Sequence, residues 1–216
     1  MTKKIISLLL LALLFTSCAL FRRTPDPTTH DEGVVINGIR WATRNVDMPG
    51  TFAATPESPG MFFQWNRKKA WNVTDRYFED WDDSITEGYI WARENDPCPA
   101  GWRVPTRTEI ETLQGEETEW INKNGVDGRL FGTAPNQIFL PAVGFRSSYL
   151  GRHRSNYNGE LRQANSFAVY WSRTLHDDRV TCAWTIFFPN PEIPGLFLGW
   201  SASRRNSGLS IRCVSK

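Results

Sequence analysis

Two cysteines at opposite ends of one stretch constrain this chain more than any other feature. Cys98 opens Cys98-Pro99-Ala100-Gly101-Trp102-Arg103-Val104-Pro105-Thr106, and Cys213 closes Leu209-Ser210-Ile211-Arg212-Cys213. Each sits in a tight local context, and together they read as a covalent clasp. Leu209, Ile211 and Cys213 alternate with Ser210 and Arg212, which predicts that Cys213 faces inward from a strand. Closing so long a loop stabilises a fold by roughly 4–5 kcal/mol in the chain-entropy model. A clasp of this kind points to an oxidising compartment.

The first residues agree with export. Lys3 and Lys4 precede an apolar run from Ile5 to Phe15, broken by Ser7, and Phe15-Thr16-Ser17-Cys18 follows. The run is too short for a permanent span and reads as a signal peptide. Small residues before a cysteine are what a bacterial lipoprotein signal needs, so residues 1–17 are expected to be removed and Cys18 lipidated. Residues 18–31 are polar, contain Pro25 and Pro27 and lack periodicity, which predicts a tether. Residues 32–216 are of one domain's length. The chain carries 25 basic and 23 acidic side chains, and Lys3 and Lys4 leave with the signal. The balanced body lacks the basic excess of a nucleic-acid binder. Cys182 shares a face with Trp184 and Ile186 and is expected to be a buried, inert thiol.

Local patterns predict an α+β domain of short antiparallel strands, one or two helices and many ordered loops. Gly33 to Ala42 reads as a hairpin turning at Asn37-Gly38. Met61 to Trp65 reads as a strand. The region from Arg67 to Asp96 has no sustained period and is expected to be irregular, pinned by buried Trp71, Trp81 and Trp91. Thr106 to Leu113 is the clearest helix, with Thr106 and Glu109 spaced as a capping box. A second helical piece is expected over residues 116–124, with Trp120 inward and Gly125 as its stop. Strands follow at Ile138 to Arg146, Phe167 to Thr174, Thr181 to Phe188 and Leu209 to Ser215. His176 to Arg179 forms a turn, and Ser147 to Gly159 forms a polar loop.

Several of these segments together resemble the Fibrobacter succinogenes major paralogous domain, a family frequent in Bacteroidetes lipoproteins. The matching stations are Gly38-Ile39-Arg40-Trp41-Ala42-Thr43-Arg44-Asn45, Phe63-Gln64-Trp65, the Cys98 to Thr106 stretch with Glu109 and Leu113, Phe139-Leu140-Pro141-Ala142-Val143-Gly144-Phe145-Arg146, Tyr170-Trp171-Ser172 and Ser210-Ile211-Arg212-Cys213-Val214. The resemblance implies a C-type lectin-like fold, in which a helix cysteine and a last-strand cysteine share one disulfide; Cys98 and Cys213 suit that pairing. The family pattern has Gly before Tyr-Trp-Ser and a second Ser after it, where this chain has Val169 and Arg173. Similar domains serve as variable proteins of diversity-generating retroelements. The Ser, Tyr, Arg, His and Asn residues after Ser147 match the products of adenine-directed rewriting.

Enzyme chemistry finds little footing. His30, His153 and His176 read as solvated side chains, and no nucleophile elbow occurs. Metal-binding CxxC and HxxxH spacings are absent. The acidic residues from Glu79 to Asp83 lack calcium-loop spacing. The tripeptides by which C-type lectins hold calcium and sugar do not occur. The formylglycine-generating version of the fold needs a reactive cysteine pair, which Cys182 alone does not supply. The expectation is a protein that is not an enzyme and needs no cofactor. Tyr, Ser, Asn and Arg suit adaptable recognition surfaces. The candidate binding face is Tyr149, Arg152, His153, Tyr157, Arg173, His176, Arg179 and Trp200. The partner expected is a protein or glycan on another surface, met by an outer-membrane lipoprotein; the alternative is a structural or fimbrial assembly subunit.

Overall fold

A computed structural model describes residues 28–115, 117–147 and 159–216. The elements in chain order are β1 (Val34–Ile36), β2 (Ile39–Trp41), β3 (Phe62–Gln64), β4 (Ala70–Trp71), β5 (Trp102–Arg103), α1 (Arg107–Glu111), β6 (Thr118–Lys123), β7 (Val126–Phe131), β8 (Ile138–Pro141), β9 (Phe145–Ser147), β10 (Glu160–Arg162), β11 (Phe167–Leu175), β12 (Cys182–Pro189), β13 (Gly199–Arg204), β14 (Gly208–Leu209) and β15 (Val214–Ser215). They form four antiparallel sheets, ordered β1-β2-β15-β5, β10-β9-β14-β3-β4, β11-β12-β13 and β6-β7-β8.

This architecture corrects the expected α+β, C-type lectin-like class. The protein is predominantly β: strand covers 37% of it and helix 5%, with one lone α-helix among the described residues. The second helix predicted over 116–124 is instead strand β6, paired residue for residue with β7 from Thr118↔Phe131 to Lys123↔Val126. Two signals outweighed the helical reading. Thr118, Trp120 and Ile121 favour a pleated surface. Gly125, expected as the helix stop, follows Asn124 at φ of 84° and 52° respectively, the turn that closes a two-residue hairpin. Asn37-Gly38 does the same between β1 and β2, at φ of 48° and 78°. Helix α1 forms where its cap predicts: Glu109 N–H donates to Thr106 Oγ1, and Thr106 N–H donates to Glu109 Oε2 at 2.8 Å.

Sheet β11-β12-β13 divides the interior. Val169 and Trp171 point into one cluster with Trp65, Trp91, Leu209, Ile211 and Cys213. Ala168 and Tyr170 point into another with Trp41, Ile110, Phe131, Phe188 and Val214. Burial on both faces explains why β11 reads as a continuous apolar run rather than an alternating one. A third cluster holds Phe62, Trp71 and Trp81. Trp71, Trp81 and Trp91 are all buried, and they pin the irregular chain between β3 and β5.

Cys98 and Cys213 form a disulfide with a Cα–Cα distance of 6.1 Å, an ordinary bridging separation. Cys98 lies in the loop before β5, and Cys213 lies between β14 and β15. Cys182 is a buried free thiol. The polar partners of the final alternation are not turned outward: Ser210 and Arg212 are as buried as Ile211 and Cys213. Arg212 Nε and Nη2 donate to Asn45 Oδ1 at 3.1 and 2.8 Å, Nη2 to Phe139 O at 3.0 Å, and Nη1 to Ala42 O at 3.2 Å. Asn45 Nδ2 in turn donates to Tyr170 Oη at 3.3 Å, and Tyr170 Oη to Pro141 O at 3.1 Å. Burial lowers the Arg212 pKa and raises that of Tyr170. Four of the segments that carry the family resemblance therefore meet in one enclosed polar network.

Candidate functional site

Of the described candidates, His176 and Arg179 lie in the turn between β11 and β12, Arg173 in β11 and Trp200 in β13. Gly208, which pairs with Arg146 of β9, lies three residues after Arg205, which contacts the β11–β12 turn, so the end of β9 and that turn are neighbours. Beyond β9 lies the polar segment, and beyond β11 lies the turn of His176 to Arg179. Tyr149, Arg152, His153 and Tyr157 fall outside the described residues, as does Cys18. The two ends of their segment are described. Glu160 pairs with Ser147, and Gly159 N–H donates to Ser147 O at 3.1 Å.

Arg146 fixes that base. It is fully buried and directs its guanidinium at main-chain oxygens of two segments: Gly159 O at 2.7 Å from Nη1, Asp75 O at 2.8 Å from Nη2, and Asn72 O at 2.9 Å from Nε. The guanidinium also lies over the Phe78 ring at 4.6 Å, a favourable cation–π distance. Burial lowers its pKa to about 10, so the group is charged at neutral pH. Trp81 packs on the same base, close enough that a Cβ on Gly159 would meet its ring at 2.4 Å.

Arg205 makes a second clamp. Its Nη1 donates to Val180 O at 3.2 Å, and its Nη2 to Gly88 O at 3.0 Å and Thr86 Oγ1 at 3.2 Å. The guanidinium rests over Trp65 at 4.4 Å. The β11–β12 turn is thereby tied to the loop before Trp91. Tyr89, Ile90 and Val180 stand exposed beside this tie, at 76%, 73% and 56% accessibility, an apolar fringe on an otherwise polar rim.

Two of the four described candidates, His176 and Trp200, meet on Trp184, which the sequence reading did not place in the face. The His176 ring stacks on it at 4.4 Å, Arg107 Cζ lies 4.0 Å from its ring centre, and Trp200 meets it edge-on at 6.5 Å. Arg179 Nη2 reaches His176 Nε2 at 3.1 Å. Arg107 is itself held by Glu111 Oε1 at 2.8 Å. Trp200 lies within β13, half-buried against the second core cluster, with Nε1 donating to Gln114 Oε1 at 2.6 Å. Arg107 and Trp184 left little trace in the sequence, because their meeting depends on α1 packing across β12.

Arg173 points the other way. Its Nη2 donates to Trp91 O at 3.0 Å, and it lines a cleft of about 470 Å³ with Arg93, Asp96, Trp102, Arg103 and Lys216, beside the disulfide. Burial raises the Asp96 pKa, against hydrogen bonds from the Cys98 and Val104 amides and the nearby charges of Arg173 and Lys216. Arg103 is committed to Glu109, with Nη1–Oε2 at 2.7 Å. The cleft is a basic recess with one partly shielded carboxylate. Its chemistry suits ligand anions better than acid–base catalysis. No group of three or more His, Cys, Asp or Glu residues able to hold a metal ion occurs among the described residues. No protein-family model, curated protein or solved structure matches the chain.

Proposed function

We propose that this protein is a lipid-anchored envelope protein that binds a protein or glycan ligand through the loop-bearing end described above. The observation that carries the reading is the pair of arginine clamps. Arg146 and Arg205 fix the bases of two polar segments, and the two clamps are neighbours because Gly208, three residues after Arg205, pairs with Arg146. Recognition loops whose ends are already ordered lose less entropy on binding, which favours affinity. The residues available are of the kind that bind adaptably: Tyr149, Arg152, His153 and Tyr157 in one segment, and His176 and Arg179 in the other. Arg173 adds a charged recess to one side. The signal-like first residues and Cys18 support the anchor, and the resemblance to a lipoprotein family supports the setting.

The test is an array of glycans and surface proteins probed with the exported chain. A selective ligand should emerge, and Tyr157→Ala combined with the exposed Arg179→Ala should abolish its capture while leaving the thermal midpoint in place. Capture that survives both changes would remove the site from this end.

A further inference from the structure

We propose a second binding site at the opposite end of β12, a cleft that takes the carboxylate head and apolar body of a fatty-acid-like ligand. The cleft has a volume of about 620 Å³ and lies between β7 and the segment that joins β12 to β13. Its walls are Ile193, Leu196, Phe197 and Leu198 with three prolines; its polar groups are Thr118 and Arg129. Phe197 is 78% exposed beside exposed Leu196, so the wall presents a contiguous apolar patch of the kind that marks a binding groove.

Arg129 is the group that selects the ligand. It lies on the same face of β7 as Phe131, whose ring packs edge-on against Phe188 at 5.5 Å, so the guanidinium stands at the rim of a core cluster. Among the described residues it has no carboxylate partner. Nη1 donates to Thr118 Oγ1 at 2.9 Å, while Nε is buried without an acceptor. Burial is the one influence on its pKa, and it disfavours the charge. A partly desolvated guanidinium with spare N–H groups matches a carboxylate, which accepts two parallel hydrogen bonds from it.

The rest of the wall argues for an acyl chain rather than a peptide. Pro189, Pro191 and Pro194 carry no N–H, so this wall is poor in donors for pairing with an incoming main chain. One charged contact at one end and apolar side chains beyond it fit a single head group on a hydrocarbon body. The site rests on none of the loops invoked for the surface ligand, so the two readings stand or fall separately.

Ligand-observed NMR titration of the exported chain tests it, with decanoate as the probe and 1-decanol and the tripeptide Leu-Ile-Phe as controls. Decanoate should bind with a submillimolar Kd, at least tenfold tighter than decanol or the peptide. Arg129→Met should weaken decanoate at least tenfold and leave decanol unchanged; Arg129→Lys should weaken it less. Equal affinity for acid and alcohol, preference for the peptide, or full affinity in Arg129→Met would overturn the assignment. Should Arg129→Met fail to fold, Phe197→Ser alters an exposed residue instead: loss of decanoate affinity supports the site, and unchanged affinity refutes it.

Discussion

Replacing both bridge cysteines, Cys98→Ala with Cys213→Ala, isolates the contribution of the clasp. The two residues are 115 apart in sequence. At that separation the chain-entropy model assigns the bridge about 5 kcal/mol, through restriction of the unfolded chain. Cys213 is fully buried within the first core cluster, so losing its sulfur adds a small packing penalty. For a domain of this size, each kcal/mol corresponds to about 2–4 °C of melting temperature, so a fall of about 10–20 °C is expected. Guanidinium unfolding followed by tryptophan fluorescence is a suitable assay, since the chain has ten tryptophans. The midpoint should drop, and the denaturant slope should rise because an unbridged unfolded chain exposes more surface. Reduction of the native protein should reproduce both changes. A loss below about 1 kcal/mol with an unaltered slope would refute the idea that the bridge acts by restraining the unfolded state.

Three other outcomes follow from named contacts. Arg212→Met strips the donors from Asn45 Oδ1, Phe139 O and Ala42 O; at about 1–3 kcal/mol for each orphaned buried group, chemical denaturation should show a loss of at least about 3 kcal/mol. Burial alone would raise the Glu109 pKa, but Arg103 and the Thr106 cap hold it below its ordinary value. The unfolded chain therefore binds this proton more readily, and the group's stabilisation, present above its unfolded pKa, is lost as pH falls through the folded one. Glu109→Gln should lower stability at neutral pH and flatten the acid limb of the stability–pH curve; an unchanged limb counts against the pairing. At Gly144, φ is 76° and an added Cβ would meet Arg162 O at 2.2 Å, so Gly144→Ala should destabilise by about 2 kcal/mol or more and speed amide exchange at the β9–β10 base.

The elements legible in the sequence were those whose signals are local. The Asn37-Gly38 hairpin, the Thr106–Glu109 cap and the buried indoles between β3 and β5 each depend on a few neighbouring residues. The β6–β7 hairpin was misread because Asn124-Gly125 serves equally as a helix stop and as a tight turn, and only the pairing of β6 with β7 decides between them. Arg212 alternates with the inward Ile211 and Cys213, and nothing in that pattern marks it as buried. Its true setting depends on Asn45, Phe139 and Tyr170, which lie far off along the chain and supply the oxygens that a buried cation requires. Within the site, His176 and Arg179 were recognisable as turn residues. The Trp184 stack was not, since aromatic residues in a strand carry no mark of what will cover them. Arg129 escaped notice for a similar reason: one arginine in a strand looks solvated until its neighbours are known.

The paired base at Ser147 and Glu160 has a corollary. A stretch that begins and finishes on adjacent rungs can be lengthened cheaply, since doubling a flexible loop costs only about 0.6 kcal/mol of closure entropy. An insert between Ser147 and Gly159 would therefore leave the pairing of β9 with β10 in place.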